Sequence, residues 1–154
     1  MKSEFMITIF ASALALGLIL SLSTGAPSVL ASDARNGELH VTKECSQNTG
    51  MPGTFCTITS SNLDEIKVGT KVFYDQQAGI PAGMLDSNVV LKVGTGDWAV
   101  GRCTLDGSTG SGLCTFSDGV GPFTGFHARV DVSHTGGPNF AWNGTYGFKS
   151  QPER

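Results

Sequence analysis

Two cysteine-bounded segments decide the fold class: CSQNTGMPGTFC, residues 45–56, and CTLDGSTGSGLC, residues 103–114. Each is rich in the Gly, Asn, Pro and Ser residues that form tight turns. Four cysteines can pair in three ways, and the simplest pairing joins the two ends of each segment across one hairpin. The spacing therefore predicts two disulfide bonds, and it places them in the following pairs: Cys45 with Cys56, and Cys103 with Cys114.

The N-terminus has the pattern of an export signal. Lys2 precedes an apolar stretch over residues 6–22, and small residues follow as far as Ala31. This pattern predicts a signal peptide over residues 1–31 and a mature domain over residues 32–154, secreted or periplasmic. The alternative is an uncleaved anchor, although the apolar run is near the lower length limit for a membrane span. Export favours disulfides over metal ligation for the cysteines, because disulfides persist in oxidising compartments.

The mature segment has the length of one domain and a mildly acidic balance. It contains nine Lys and Arg and twelve Asp and Glu, once Lys2 and Glu4 of the predicted signal are set aside. These charges are spread without blocks, so no basic stripe suggests a nucleic-acid partner. After the predicted signal, no segment is apolar enough to predict a membrane-spanning helix.

Short alternating or β-branched runs recur between turn signals, which is typical of an all-β domain. Eight strands are predicted near residues 38–44, 54–60, 70–76, 88–93, 97–105, 112–117, 122–133 and 139–148. Eight short strands favour an antiparallel sandwich or a closed up-and-down barrel. Because a barrel leaves no exposed strand edge, we predict an eight-stranded antiparallel barrel with two hairpin disulfides.

The cysteine pairs also predict how the strands align. If the second pair face each other across a hairpin, Arg102 opposes Thr115. The same rule applied to the first pair places Lys43 opposite Ile58.

The seventh predicted strand divides into two rows, because neighbouring side chains point to opposite faces. The apolar row contains Thr124, Phe126, Ala128, Val130 and Val132. The more polar row contains Phe123, Gly125, His127, Arg129 and Asp131. In an ordinary barrel or sandwich, the apolar row faces the core and the polar row faces solvent. In a ligand-binding barrel, the polar row could line the cavity, and the apolar row would then be buried against another subunit. The composition leaves both arrangements open.

Residues 117–128, SDGVGPFTGFHA, resemble the Gly-Thr-Gly-x-Phe-x-Gly-Ala-x-Gly segment of allene oxide cyclases and plant dirigent proteins. The resemblance implies a calycin-like eight-stranded barrel, commonly trimeric, whose apolar cavity steers cyclisation or coupling of a reactive hydrophobic intermediate without metal or cofactor. His127 stands where dirigent proteins have an arginine and allene oxide cyclases a tyrosine, which implies that it faces inward. The chain departs from the pattern at Val120, Phe126 and Ala128, and the disulfide hairpins are not part of the plant pattern.

That implied orientation predicts a site on the polar row. His127 could act as a general acid or base near neutral pH, and Arg129 could stabilise an anion beside it. The predicted ligand contacts are Phe123, Asp131, Trp142 and Tyr146. The alternatives are a solvated outer strand face for the polar row, and an ordinary core for the aromatic row of the last strand. That aromatic row contains Phe140, Trp142, Gly144, Tyr146 and Phe148.

Two functions follow from these expectations. One is a secreted, cofactor-free barrel that binds a small hydrophobic molecule and acts as an isomerase or cyclase of the allene oxide cyclase type. The other is a non-catalytic secreted binding or interaction module on the same barrel with a filled core. An open interior would favour the first function, and a solid interior with the polar row outward would favour the second.

Overall fold

Eight antiparallel strands make up most of the part of the chain that the structure describes. The structure is a computed structural model that describes residues 35–149. Its strands are β1 (Asn36–Glu44), β2 (Thr54–Ser61), β3 (Lys71–Tyr74), β4 (Met84–Lys92), β5 (Trp98–Asp106), β6 (Ser111–Val120), β7 (Phe126–Gly136) and β8 (Asn139–Phe148). A 3-10 helix (Gly121–Phe123) joins β6 to β7.

The strands pair in chain order, and the last one pairs with the first to close the sheet into a barrel. The closing pair runs along the whole of β1, from Asn36 opposite Gly147 to Glu44 opposite Asn139. Every strand therefore has a neighbour on both sides, which leaves no edge strand in the described sheet. The predicted eight-stranded antiparallel barrel is confirmed.

Both hairpin disulfides form as predicted, Cys45 with Cys56 and Cys103 with Cys114. The predicted register of each hairpin is confirmed as well. Each disulfide joins strands that are already neighbours, so it reinforces the local pairing and does not connect distant parts of the chain. The two bonds are consistent with an extracellular or otherwise oxidising compartment.

Replacing both Cys103 and Cys114 by alanine is expected to lower the free energy of unfolding by about 3 kcal/mol. This is the loop-closure entropy that a disulfide removes from an unfolded loop of this length. Both side chains are buried, so lost packing adds to the cost. Urea unfolding without reductant measures the difference, and Arg129→Ala on the outer surface serves as a control. A change below about 1 kcal/mol would show that strand pairing alone holds this hairpin closed.

Apolar side chains fill the barrel interior. Because side chains alternate along each strand, one row of each strand faces inward, and an eight-stranded barrel is just wide enough for those rows to fill it. The largest fully buried side chains are Trp142, Phe123, Phe126, Leu39, Ile58 and Ile66. In the aromatic row of the last strand, Trp142 and Phe148 are buried, and Phe140 and Tyr146 are half-buried against the core. The row therefore packs on the core, as the ordinary interpretation predicts.

The polar row of β7 lies on the outer surface, so the prediction that it lines a cavity is wrong. The exposed residues of this row are His127, Arg129 and Asp131, while the alternate row from Phe126 to Val132 is buried. The physical reason is that charged side chains lose hydration inside an apolar core, whereas the apolar row gains free energy there. An outward apolar row would have needed another subunit to cover it. The row is instead covered by the barrel's own core, and the oligomeric state stays a prediction.

One end of the barrel is closed by apolar side chains from its loops. Residues 62–70, between β2 and β3, contribute Leu63 and Ile66, both buried. The 3-10 helix contributes Phe123, whose ring packs edge-on against Phe126 with 5.4 Å between ring centres. We call this the closed end.

The opposite end, which we call the open end, carries four of the connections between strands. Its connecting segments are residues 45–53, 75–83, 107–110 and 137–138. Met51 and Ile80 in these segments are among the few large apolar side chains that are exposed in the described chain. Both disulfides lie toward this end, which holds its hairpins together.

The predicted signal peptide lies outside the described residues, as does the start of the predicted mature domain. Within residues 35–149, no helix has the length and apolar character needed to cross a membrane.

Candidate ligand site at the open end of the barrel

A lysine side chain lies inside the barrel near its open end. Lys43 is only 3% exposed and continues the inward row of Leu39 and Val41 along β1. Across the closing strand pair it lies opposite Phe140. Its Nζ donates a hydrogen bond of 2.6 Å to the hydroxyl oxygen of Tyr74, the last residue of β3, which is also buried. The strands β1 and β3, which both pair with β2, thus bring an amine and a phenol together inside the barrel.

Aromatic rings surround the Lys43 amine. Nζ lies 4.3 Å from the ring centre of Trp142, 5.3 Å from that of Tyr74 and 5.9 Å from that of Phe140. Cation–π attraction to the face of Trp142, the nearest of these rings, favours the charged amine. None of the salt bridges among the described residues involves Lys43, however. The amine therefore has aromatic neighbours but no carboxylate partner in the described barrel.

Burial changes the protonation of both groups. It lowers the pKa of Lys43 from 10.5 to about 7, because the ammonium loses hydration and no anion compensates. Burial raises the pKa of Tyr74, so its hydroxyl stays protonated at neutral pH. At neutral pH the pair consists of a phenol that can donate a proton and an amine of which about half is neutral.

A cavity of about 30 Å³ adjoins this pair. Its other walls include Cys45, Cys103, Cys114, Leu85, Leu105 and Phe140. Several of these side chains are only partly buried, so the cavity reaches the surface between them. The space holds about two water molecules or the terminal group of a larger molecule. The cavity therefore presents one polar end, formed by Lys43 and Tyr74, within largely apolar walls.

The indole of Trp142 adds an unused hydrogen-bond donor to this region. The side chain is fully buried, and its Nε1 has no hydrogen-bond partner among the described residues. A buried donor without a partner costs about 1–3 kcal/mol, so such atoms are commonly satisfied by a bound water or ligand. The hydrogen-bonding groups of the barrel interior are thus only partly satisfied by one another.

The six residues predicted to form a site are not brought together. The three on the outer surface are His127, Arg129 and Asp131. Phe123 is fully buried at the closed end, and Tyr146 packs toward that end against Phe148. Only Trp142 lies beside Lys43. The outer position of His127 removes the basis for assigning it a role in an internal pocket.

The alternation of residues in β1 and β3 carries a sequence signal for this site. Lys43 follows Leu39 and Val41 at alternate positions, and Tyr74 follows Val72 in the same way. An alternating apolar row that ends in a lysine indicates that the lysine points into the core or into the mouth of a cavity. The two row ends meet because β1 and β3 both pair with β2 and finish at the same end of the barrel.

No protein-family model matches this chain, and no match to a curated protein is found. Across residues 35–149, no three His, Cys, Asp or Glu side chains form a group that could hold a metal ion. A barrel alone does not identify a family, so the resemblance to allene oxide cyclases and dirigent proteins stays a prediction. The functional argument depends on the geometry of the open end.

Proposed function

We propose that this protein is an exported binding module that takes the polar end of a small apolar molecule into the open end of its barrel. The observation that carries the proposal is the cavity formed by Lys43 and Tyr74 within apolar and sulfur-lined walls. Binding sites for small molecules commonly combine an apolar surface with a few polar groups that orient the ligand. Met51 and Ile80, exposed in loops at the same end of the barrel, offer further apolar surface.

The filled core favours a binding module over a cyclase. A cyclase that folds a flexible chain has to enclose most of that chain, whereas the space beside Lys43 is about 30 Å³. The row of β7 that was expected to supply catalytic groups faces outward. Both observations support the simpler function, in which only the end of the ligand enters the barrel.

Export is part of the proposal. The pattern over residues 1–31 predicts a signal peptide, and two disulfides in a domain of this size agree with a compartment outside the cytosol. No cofactor is required for binding of this kind.

1-Hexanol is a suitable probe because it has a slender apolar chain and one hydrogen-bonding end. In an NMR titration of the mature protein, we expect shifts at the open end and a dissociation constant of roughly 1 mM or tighter. Leu105→Trp narrows the mouth and should weaken binding at least about tenfold, because losing contact with two methylene groups costs about 1.6 kcal/mol.

His127→Ala is the matched control, since its side chain lies on the outer surface and should leave hexanol binding unchanged. Binding that survives Leu105→Trp but is lost in His127→Ala would contradict the proposal. So would a titration in which no resonance of the open end moves.

A further inference from the structure

The Lys43 amine is placed for covalent chemistry as well as for binding. It lies at the wall of a cavity that reaches the surface, and it is itself almost completely buried. Within residues 35–149, its only side-chain hydrogen bond is the one to Tyr74. A buried amine in apolar surroundings is the arrangement that makes lysine a nucleophile toward carbonyl carbon.

We propose that Lys43 is a covalent attachment site that forms an imine with an aldehyde or ketone at the end of a small apolar molecule. This inference rests on the proposed binding function and names the chemical class of its ligand. Tyr74 is assigned the role of the proton donor, because its hydroxyl oxygen lies 2.6 Å from Nζ.

The reaction needs no further reactant. The lone pair of Nζ attacks the carbonyl carbon, and the carbonyl π electrons pass to oxygen, which takes up a proton to give a carbinolamine. Loss of that oxygen as water forms the carbon–nitrogen double bond, and both hydrogens of the neutral amine leave with the water. Tyr74 can donate its proton to the departing oxygen and regain one from the nitrogen, so it ends unchanged.

The surroundings of the amine favour this chemistry over an ion pair. The cavity walls and neighbouring rings contribute cysteine sulfur, aliphatic and aromatic groups and one threonine, and Tyr74 is the only titratable group among them besides Lys43. With a pKa of about 7, about half of this amine is neutral at pH 7. An amine in water, with a pKa near 10.4, is neutral in only about one molecule in 2,500.

Reductive trapping tests the inference on the intact mature protein. The protein is treated with hexanal and cyanoborohydride at pH 7, and the modified peptides are mapped by mass spectrometry. We expect the amount of adduct at Lys43 to exceed the amount at exposed Lys71 or Lys92 at least about tenfold. 1-Hexanol should compete with formation of the Lys43 adduct. The yield of this adduct should increase with pH through about 7. Tyr74→Phe should slow trapping about a hundredfold, as loss of a positioned proton donor does.

The outcomes separate this inference from the proposed function. Hexanol binding without preferential trapping at Lys43 would overturn the imine and leave the binding module standing. Absence of both binding and trapping would overturn both proposals. An unchanged trapping rate in a folded Tyr74→Phe variant would overturn the role given to Tyr74.

Discussion

Replacing Lys43 by methionine should stabilise the protein at pH 6 and abolish a rise in its stability between pH 7 and pH 10. Methionine has a similar length and keeps the apolar contacts of the side chain while removing the buried charge. Replacing buried charges with apolar side chains of similar volume commonly stabilises a protein by about 1–4 kcal/mol. We expect the free energy of unfolding to increase by about 2 kcal/mol at pH 6. The gain is not larger because the Tyr74 hydroxyl loses its hydrogen-bond partner in this variant.

The pH dependence follows from the proton balance of Lys43. Its pKa is about 7 in the folded protein and 10.5 when solvated, so between these values the unfolded chain binds the extra proton. Stability therefore rises with pH across this window, by up to about 5 kcal/mol for a shift of this size. Below pH 7 the amine is protonated in both states, and the full penalty for burying the charge is present.

Tyr74 has the opposite effect at higher pH. Its pKa is raised in the folded protein, so above about pH 10 the folded state retains a proton that the unfolded chain releases. Stability then falls as pH increases further. The two groups together predict a maximum of stability near pH 10, which urea unfolding at pH 6, 8, 10 and 11 would detect.

Two variants complete this test. Lys43→Met combined with Tyr74→Phe removes both partners of the hydrogen bond and should stabilise the protein more than the single change. Lys92→Met removes an exposed lysine and should change stability by less than about 0.5 kcal/mol. Stability of the wild-type protein that declines steadily from pH 6 to pH 10 would contradict the assignment of a neutral amine to the core.

The fold could be predicted from local signals because each strand pairs with its neighbour in sequence. Turn residues separated the strands, and the two cysteine segments supplied the register of two hairpins. Some strand boundaries in the structure differ from those predicted from the sequence. β4 begins at Met84, before the predicted position 88, because a non-β-branched stretch hid its start. Pro122 lies in a 3-10 turn and not in β7.

The site could not be predicted in the same way, because it depends on which strand faces meet inside the barrel. Alternation divided β7 into two rows, but the choice between them followed the resemblance and placed His127 inside. Burial of the apolar row was the stronger physical effect. Lys43 could be placed on an inward row from its neighbours, whereas its contact with Tyr74 depends on how β1 and β3 each pair with β2.

Three glycines allow the strands of this narrow barrel to approach closely. A Cβ at Gly101, Gly112 or Gly144 would lie 2.0–2.2 Å from a backbone carbonyl oxygen of the neighbouring strand. Glycine inside a strand commonly marks a tight bend or a close backbone approach, and small barrels use such positions to curve their sheets. These three residues are therefore candidates for the positions that set the curvature of the sheet.

Gly144→Ala should be among the most destabilising single changes in the described chain. Its Cβ would lie 2.1 Å from the carbonyl oxygen of Arg129 and 2.8 Å from the Cα of Val130, so β7 and β8 would have to separate. Backbone atoms cannot rotate away as a side chain can. Extra atoms in a packed interior cost about 1–3 kcal/mol and sometimes more, and we expect a loss of at least about 3 kcal/mol because the obstacle is backbone.

Gly147→Ala provides the matched control on the same strand. There the added Cβ would lie 2.6 Å from Nε2 of His127, an exposed side chain that can rotate away. Neither Gly144 nor Gly147 has a positive φ, so backbone conformation does not distinguish them. We expect Gly147→Ala to change stability by less than about 1 kcal/mol in either direction, because displacement of His127 is offset by reduced entropy of the unfolded chain.

Equal losses of stability for the two variants in urea unfolding would contradict this argument. They would show that contacts with side chains on the outer surface, and not the close approach of strand backbones, exclude a Cβ at both positions. A large loss at Gly144 alone would identify this close contact between β7 and β8 as a requirement for the barrel to close.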